Sequence, residues 1–300
     1  MKVSRSAYYA WKNQTSHQLS DTKLQMEQQV KHVFNENKSR YGSRRITHTL
    51  AKEGTKISRY KAAGVLRKFA LKAIQPRSFV PKTTDSRHSY AISPNLLVGR
   101  HWPQRINQVW VSDITYIPLK DNRWCYLSFV MDLISRKIVG WQLLDNLKEQ
   151  LVIDALQKAI RKRRNVLGLI VHSDRGGQYG SKLYRGILQT HEINQSMSDA
   201  DNPYDNAFME SCFSRLKAEL VGNNAYQTIE NARAAIFEYI EGYYNRTRLH
   251  SGLGYNSPEE YEHILENKLP SENTINPRFI IPLKIKPINS QVNQKEGVIY

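Results

Sequence analysis

The sequence is short of thiols, of long apolar runs and of acid. Two cysteines in 300 residues, Cys125 and Cys212, cannot build a disulfide framework or a four-thiolate zinc site. No stretch approaches the roughly 18–20 uninterrupted apolar residues of a membrane span. The segment after Met1, Lys-Val-Ser-Arg-Ser-Ala-Tyr-Tyr, lacks the apolar centre of a signal peptide. Against 44 Lys and Arg stand only 27 Asp and Glu, a formal net charge of +17. Such an excess is out of place in an ordinary metabolic enzyme and suits a protein that meets a polyanion. These absences describe a soluble intracellular chain that binds nucleic acid.

What is present is enough apolar residue, 40% of the chain, to exclude wholesale disorder and to fill about two domains. Residues 1–20 are polar and basic without periodicity and read as a loose arm or the remnant of a helix. From Asp21 a helical period begins, with Leu24, Val30, Val33 and Phe34 on one face up to about Asn37. A second helix is expected after Ser43 as N-cap, through Ile46 and Leu50 to Gly54. A third follows Ser58, carries Ala62, Val65, Leu66 and Phe69, and fades near Ala73. Three short basic helices over 21–74 fit a helix-turn-helix-like DNA-binding module; a small bundle with a solvated basic face fits the pattern equally. Residues 75–104 are proline-interrupted and aperiodic, a linker.

The texture changes after residue 105. Val109–Leu119 and Trp124–Leu133 are aromatic and β-branched and flank the turn-forming Lys-Asp-Asn-Arg; Lys137–Leu144 adds a third strand of a meander. A helix is expected over Lys148–Arg164, a strand over Leu167–Val171, a helix over Ser181–Gln189, a strand over Ile193–Met197 and a long helix over Asp205–Leu220. Three meander strands followed by alternating strands and helices is the order of a ribonuclease-H-like α/β core, a mixed five-stranded sheet with helices, here spanning 105–262. Residues 263–300 form a tail without assignment.

Acidic residues stand out in so basic a chain. Asp113 lies inside the first strand, where an unpartnered carboxylate is costly. Asp174 ends the fourth strand. Glu210 lies on the long helix at the edge of the apolar stripe Phe208, Met209, Cys212, Phe213, Leu216 and Leu220, with Lys217 two turns along on nearly the same line. In the fold read above, the first and fourth strands are neighbours, so Asp113 and Asp174 face each other and the helix lays Glu210 over them. Converging carboxylates call for a divalent cation, and oxygen ligation selects Mg²⁺ or Mn²⁺ over zinc. Two such ions suit in-line phosphoryl transfer. Any one of these acids alone reads as a surface or turn residue. Asp132 has a setting almost as suggestive, His172 reads best as a histidine satisfied within the fold, and Asp199, Asp201 and Asp205 as servants of a loop and a helix start.

Thirty-five residues separate Asp174 from Glu210, and Lys217 follows seven later. This resembles the D,D(35)E arrangement of retroviral integrases and bacterial insertion-sequence transposases. The longer words Trp110-Val-Ser-Asp-Ile-Thr-Tyr, His172-Ser-Asp-Arg-Gly-Gly-Gln-Tyr, Tyr204-Asp-Asn-Ala-Phe-Met-Glu-Ser and Tyr244-Asn-Arg-Thr-Arg-Leu-His-Ser-Gly-Leu-Gly-Tyr-Asn-Ser-Pro-Glu are similar to the OrfB transposases of insertion-sequence family three. Val3-Ser-Arg-Ser-Ala-Tyr-Tyr and Tyr41-Gly-Ser-Arg-Arg-Ile resemble that group's N-terminal part. The resemblance spans about residues 3–262. It implies an enzyme that cuts an element's end to expose a 3′-hydroxyl and joins it to a target phosphodiester without a covalent protein–DNA intermediate. It implies that Asp113, Asp174 and Glu210 are catalytic and hold two metal ions, and that Lys217 contacts DNA near the cut. The implied setting is the bacterial cytoplasm, at the nucleoid, as a homo-oligomer on double-stranded element ends and target. The cysteines cannot supply the zinc module of retroviral integrases, and the chain has no heptad run. The resemblance further implies an upstream OrfA product, free or fused, as a partner.

Further DNA contacts are expected from Arg44, Arg45, Arg59 and Lys61 on the small helices and from Arg246 and Arg248. The last two lie where Tyr243-Tyr-Asn-Arg-Thr-Arg-Leu-His interleaves aromatic and basic residues, which suits stacking and backbone contacts or, equally, aromatic packing. Arg161-Lys-Arg-Arg reads as a solvated helix end. Two alternatives to a transposase are a catalytically silent DNA-binding regulator of transposition and a nuclease of the same fold without joining activity. Three converging carboxylates argue against the regulator.

Overall fold

The aromatic and β-branched run from residue 109 to 144 folds as an antiparallel meander: β1 (Val109–Pro118), β2 (Trp124–Asp132) and β3 (Ile138–Leu144). Asn122, at φ 63°, and the Asp121 carboxylate, which accepts from the Arg123 amide, make the first turn. Helix α5 (Gln150–Arg163) then crosses to β4 (Ile170–Ser173), and α6 (Gly177–Gly180) with α7 (Lys182–Thr190) leads to β5 (Asn194–Met197). The sheet order is β3-β2-β1-β4-β5, with β4 parallel to both β1 and β5. The computed structural model describes residues 3–13, 21–75, 92–98, 102–198, 207–220 and 225–267. The fourth strand starts three residues later than its apolar run because Leu167 is exposed and Gly168 turns the chain at φ +71°.

Strand alternation divides the apolar residues between two faces. Val109, Val111 and Ile117 of β1 and Ile170 of β4 pack with Phe213 and Leu216 of α8 (Ala207–Leu220) and Ile236 of α9 (Ile229–Phe237). Trp110 and Val171, one residue along each strand, pack on the other face against Leu156 of α5 and Tyr184 and Leu188 of α7. After α9 the chain runs as a π-helical segment (Glu238–Tyr244), and α10 (Pro258–Asn267) closes the described part. Ser257 and Glu260 form a capping box at its start, each side chain accepting from the other's amide at 3.2 and 2.8 Å. Asp199, Asp201 and Asp205 and the tail beyond residue 267 lie outside the described residues.

The basic N-terminal helices are α2 (Asp21–Glu36), α3 (Ser43–Lys52) and α4 (Arg59–Lys68), packed through Val30, Phe34, Ile46, Leu50 and Val65. Ser58 caps α4 by accepting from the Lys61 amide. Ser43, expected as the cap of the second helix, is its first residue, and Gly42 precedes it without a side-chain cap. The expected loose arm contains a helix, α1 (Arg5–Lys12), capped by Ser4 and burying none of its residues.

This helical unit is docked, not tethered. Leu249 enters its core, the Tyr41 hydroxyl accepts from the Leu249 amide at 2.8 Å and donates to the Thr247 carbonyl at 3.2 Å, and His48 stacks on Tyr255 at 3.5 Å. Nearby, Asn245 Oδ1 accepts from the Ile138 amide and its Nδ2 donates to the Ile138 carbonyl, so one side chain completes the start of β3. Part of the proline-interrupted stretch lies against β5: Ser93 Oγ donates to Gln195 Oε1 and the Leu96 amide to Ser196 Oγ, both at 2.9 Å.

Gly140 of β3 has no room for a side chain. A Cβ there would stand 2.6 Å from the Ala159 amide nitrogen and closer still to the Ala155 carbonyl oxygen, so α5 would have to move. Gly140→Ala is expected to cost about 1–3 kcal/mol or more by overpacking, seen as a lower urea midpoint at unchanged m-value.

Candidate active site and nucleic-acid interface

Asp113 and Asp174 come together through strand register. Val109, Trp110 and Val111 of β1 pair in parallel with Ile170, Val171 and His172 of β4; carried two residues further, the same register sets Asp113 beside Asp174. By alternation both lie on the face of Val111 and Ile170, the face that α8 covers. Each is half-buried, and each anchors one carboxylate oxygen on the backbone: Asp113 Oδ1 accepts from the Ile114 amide at 2.7 Å, Asp174 Oδ1 from the Gly176 amide at 3.0 Å. A Cβ on Gly176 would stand 3.0 Å from that Asp174 oxygen. The two charges act on the same neighbours. Burial first, then both carboxylates, push the Tyr179 hydroxyl well above its usual range; burial, Tyr126 and both carboxylates raise Tyr116.

Phe213 and Leu216 seat α8 on this face. Lys217, next to Leu216, is half-buried; burial pulls its ammonium down and the Asp113 charge partly restores it. The lysine therefore lies within electrostatic reach of the strand carboxylate, while Glu219, two residues further along α8, is held by Arg248. Glu210 is on α8, 20° from Lys217 in helical projection; its side chain, with those of Phe208 and Met209, is outside the described residues. Carboxylate oxygens fit a hard divalent cation and not zinc. Among the described residues no group of three His, Cys, Asp or Glu is placed to hold a metal ion; the third ligand expected from the sequence, Glu210, has its side chain outside them.

Asp132 is a turn carboxylate. It is fully buried and accepts from the amides of Asn107, Ile134 and Ser135 at 2.6–3.0 Å; burial raises its carboxyl, and those amides and Arg163 oppose the rise. His172 is buried with Nδ1 2.8 Å from Ser196 Oγ.

The basic candidates divide. Arg44, Arg59 and Lys61 are exposed, as is Arg246, although its Nε lies 3.7 Å from a Glu259 oxygen. Arg45 is turned inward, its side chain 17% exposed. Arg248 is a correction: at 2% exposure it is enclosed, and it cannot touch DNA from there. Its Nε and Nη2 donate to the two Glu219 oxygens at 2.8 and 2.6 Å, and Tyr239 donates to the same carboxylate at 2.8 Å. Burial alone would raise the Glu219 carboxyl; Arg248, Arg45 and Tyr239 overcome it and hold the group below its usual range. Burial and then the Arg248 charge drive His250 well below the usual imidazole range. Tyr60, 87% exposed between Arg59 and Lys61 at the start of α4, belongs with the interface candidates. Its place at the head of the third helix, where such modules meet base edges, is the signal that marks it.

Comparison with known proteins accords with this geometry. Two family models described as Integrase core domain match residues 103–203 and 191–258, and one described as HTH-like domain matches 20–79. The chain is 38% identical over 266 residues to the transposase InsF for insertion sequence IS3A of Escherichia coli (strain K12), covering 87% of this chain and 91% of that one. It is 38% identical over 237 residues to the transposase for insertion sequence element IS904 of Lactococcus lactis subsp. lactis (strain IL1403), covering 79% and 93%. A crystal structure of the catalytic core domain of BIV integrase is similar at a TM-score of 0.39 and 20% identity, over 53% of this chain and 96% of that one. The HTLV-2 integrase catalytic core domain in complex with magnesium is similar at 0.37 and 16%, over 53% and 98%. The sheet order and the family models and transposase relatives together define a polynucleotidyl transferase with a ribonuclease-H-like integrase core and a helix-turn-helix-like DNA-binding domain. The chain belongs to the transposases of insertion-sequence family three. Among the described residues no helix is long and apolar enough to cross a membrane.

The Glu219 network carries an acid-sensitivity prediction. A carboxyl whose folded value lies below its unfolded value, 4.5 for Glu219, contributes stability above that pH and loses it as pH falls through the folded value. Glu219→Gln is expected to cost about 3–5 kcal/mol at pH 7 by leaving Arg248 unpaired, and to flatten the fall in stability below pH 4.5. Urea titrations from pH 7 to pH 3 measure both.

Proposed function

We propose that Asp113, Asp174 and Glu210 hold two Mg²⁺ ions, with Mn²⁺ as a substitute, and that at this site the transposase cleaves element ends and joins the 3′-hydroxyl to a target phosphodiester. The observation that carries this reading is the placement of Asp113 and Asp174 on neighbouring strands and on the face covered by α8, with the Lys217 ammonium within electrostatic reach of Asp113. Divalent ions bound there would activate the attacking water or hydroxyl and stabilise the leaving oxygen. The protein supplies the rest. Backbone amides orient one oxygen of each aspartate, leaving the carboxylates aimed as a pair, and the core beneath β1 and β4 keeps the strands from spreading. Lys217 presents a cation to the phosphate backbone beside the carboxylates. Duplex is held by Arg44, Arg59 and Lys61 of the helical module, with Arg246.

We further infer a homo-oligomer on DNA, because two element ends have to be handled together, and an OrfA-type partner, free or fused, because this chain has no heptad run. Its place of action is the cytoplasmic nucleoid.

Single alanine substitutions of Asp113, Asp174 and Glu210 are expected to bring cleavage and joining of labelled element ends below about a tenth of wild type while duplex binding persists. Residual joining above that level removes the residue from the site; cleavage without joining by the wild type marks a nuclease, and neither activity marks a regulator.

Duplex affinity is expected to fall steeply with salt, because the +17 charge makes several phosphate contacts. A slope of log K against log salt near zero contradicts it.

Lys217→Ala is expected to weaken joining more than nonspecific duplex binding, with Lys217→Arg better tolerated where phosphate is the partner. Lys162→Ala, at an exposed ion pair with Glu241, is the control. Equal behaviour of Lys217→Ala and the control in both assays makes Lys217 an ordinary helix residue.

A further inference from the structure

The segment from Tyr243 to His250 stands out by its aromatic and basic pattern, and several of its members, Asn245, Arg248 and Leu249 among them, are enclosed. They join three parts of the molecule. Asn245 holds the start of β3, Leu249 fills the core of the helical module, and Arg248 grips Glu219 on α8. Glu219 is two residues beyond Lys217 and nine beyond Glu210 on one continuous helix, so whatever seats Glu219 also seats Glu210, about 13 Å along the axis.

The contacts that hold α8 differ in kind. Phe213 and Leu216 bury apolar surface against the sheet. Such contact is non-directional and selects the face of a helix more firmly than its position along the axis. The Arg248 fork is directional: two charge-assisted hydrogen bonds, with the Tyr239 hydroxyl as a third, fix Glu219 at one point. The helical module reaches that point too. Arg45 of α3 places Nη1 3.7 Å from Glu219 Oε1 and 3.2 Å from the Arg40 carbonyl, over the Tyr41 ring at 5.4 Å. Arg44, its neighbour, faces solvent.

We propose that Glu219 is a positioning residue for Glu210, and that Arg45 couples the helical module to it, so that the module sets the seat of the catalytic helix on the sheet. This rests on the reading of Glu210 as a metal ligand. Arg45 then serves catalysis without being a DNA contact, and Mg²⁺ chemistry, which demands near-ideal octahedral geometry, is the first to suffer when α8 shifts.

The test uses the full chain with Arg45→Gln, with Arg44→Gln for comparison and Arg45→Lys as the conservative variant. Three quantities are read: binding of a duplex element end, hydrogen–deuterium exchange of the peptide covering residues 207–220, and end joining in Mg²⁺ and in Mn²⁺. Arg45→Gln is expected to bind the end within about twofold of wild type, to exchange over 207–220 at least about threefold faster, and to lose about tenfold or more of its Mg²⁺-dependent joining with most of it regained in Mn²⁺. Arg45→Lys should fall between, and Arg44→Gln should weaken binding with exchange over 207–220 unchanged. Unchanged exchange over 207–220 overturns the proposal, as does Mg²⁺-dependent joining within twofold of wild type, or a loss of binding equal to that of Arg44→Gln. A wild type that joins in neither metal refutes the proposed function instead, and the exchange measurement then decides the coupling alone.

Discussion

A carboxylate and a guanidinium enclosed together, Glu219 and Arg248, are the constraint on which the arrangement of this transposase turns. Taking each ion out of water costs several kcal/mol, and mutual attraction offsets that only with near-complete hydrogen bonding. Both oxygens of Glu219 are engaged by Arg248, Tyr239 adds a donor, and the Arg248 Nη1 also lies 3.2 Å from the His250 ring. The histidine stays neutral because burial and four surrounding arginines, Arg248 foremost, oppose a further charge. Remove either ion and the other is left charged, buried and unmatched. The pair lies where α8, the segment after the π-helical turn and the helical module meet, so those three parts can take only the mutual placement that satisfies it.

That placement matters because the sheet alone completes only part of the site. Register and alternation bring Asp113 and Asp174 to one face at one level, a consequence of β4 entering beside β1 in parallel. Two half-buried carboxylates side by side repel when both are ionised, and after burial both contribute to raising the hydroxyls of Tyr179 and Tyr116. The helix laid across the sheet brings the Lys217 ammonium within electrostatic reach of Asp113. The seat of α8 thus decides both the balance of charge at the pair and where Glu210 stands.

The order of elements was legible in the sequence because alternation, turn clusters and caps are local signals. The meander and the Ser58 cap both depend on neighbours a few residues away. The boundary before β4 was not, since an apolar Leu167 and a turn glycine look alike in strand and loop until packing exposes one and twists the other. Among acids, Asp113 and Asp132 share nearly the same flanks. What separates them is the tight turn after β2, which aims the amides of Ile134 and Ser135 at Asp132. The spacing from Asp174 to Glu210 says nothing about which amides face a carboxylate. Arg246 and Arg248 are two residues apart in one basic motif, one at the surface and one enclosed, and only the carboxylate on α8 tells them apart.

The same distinction governs how the net charge is to be understood. Many cations here are spoken for: Arg248 and Arg45 by Glu219, Lys137 and Arg163 by Glu262, Lys68 by Glu27, Lys38 by Glu238 and Lys52 by Glu260. Three of these ties, Arg45, Lys38 and Lys52, run between the helical module and the catalytic core. Part of the basic excess that suggests DNA binding is therefore internal mortar. Yet with 27 acids against 44 bases, one-to-one pairing of every acid would still leave 17 cations unmatched. Composition thus guarantees a reserve of positive charge for phosphate while remaining silent on where it lies. Burial supplies the address: the exposed cations include Arg44, Arg59 and Lys61 of the helical module, whereas Arg248 is enclosed against Glu219 and is not among them.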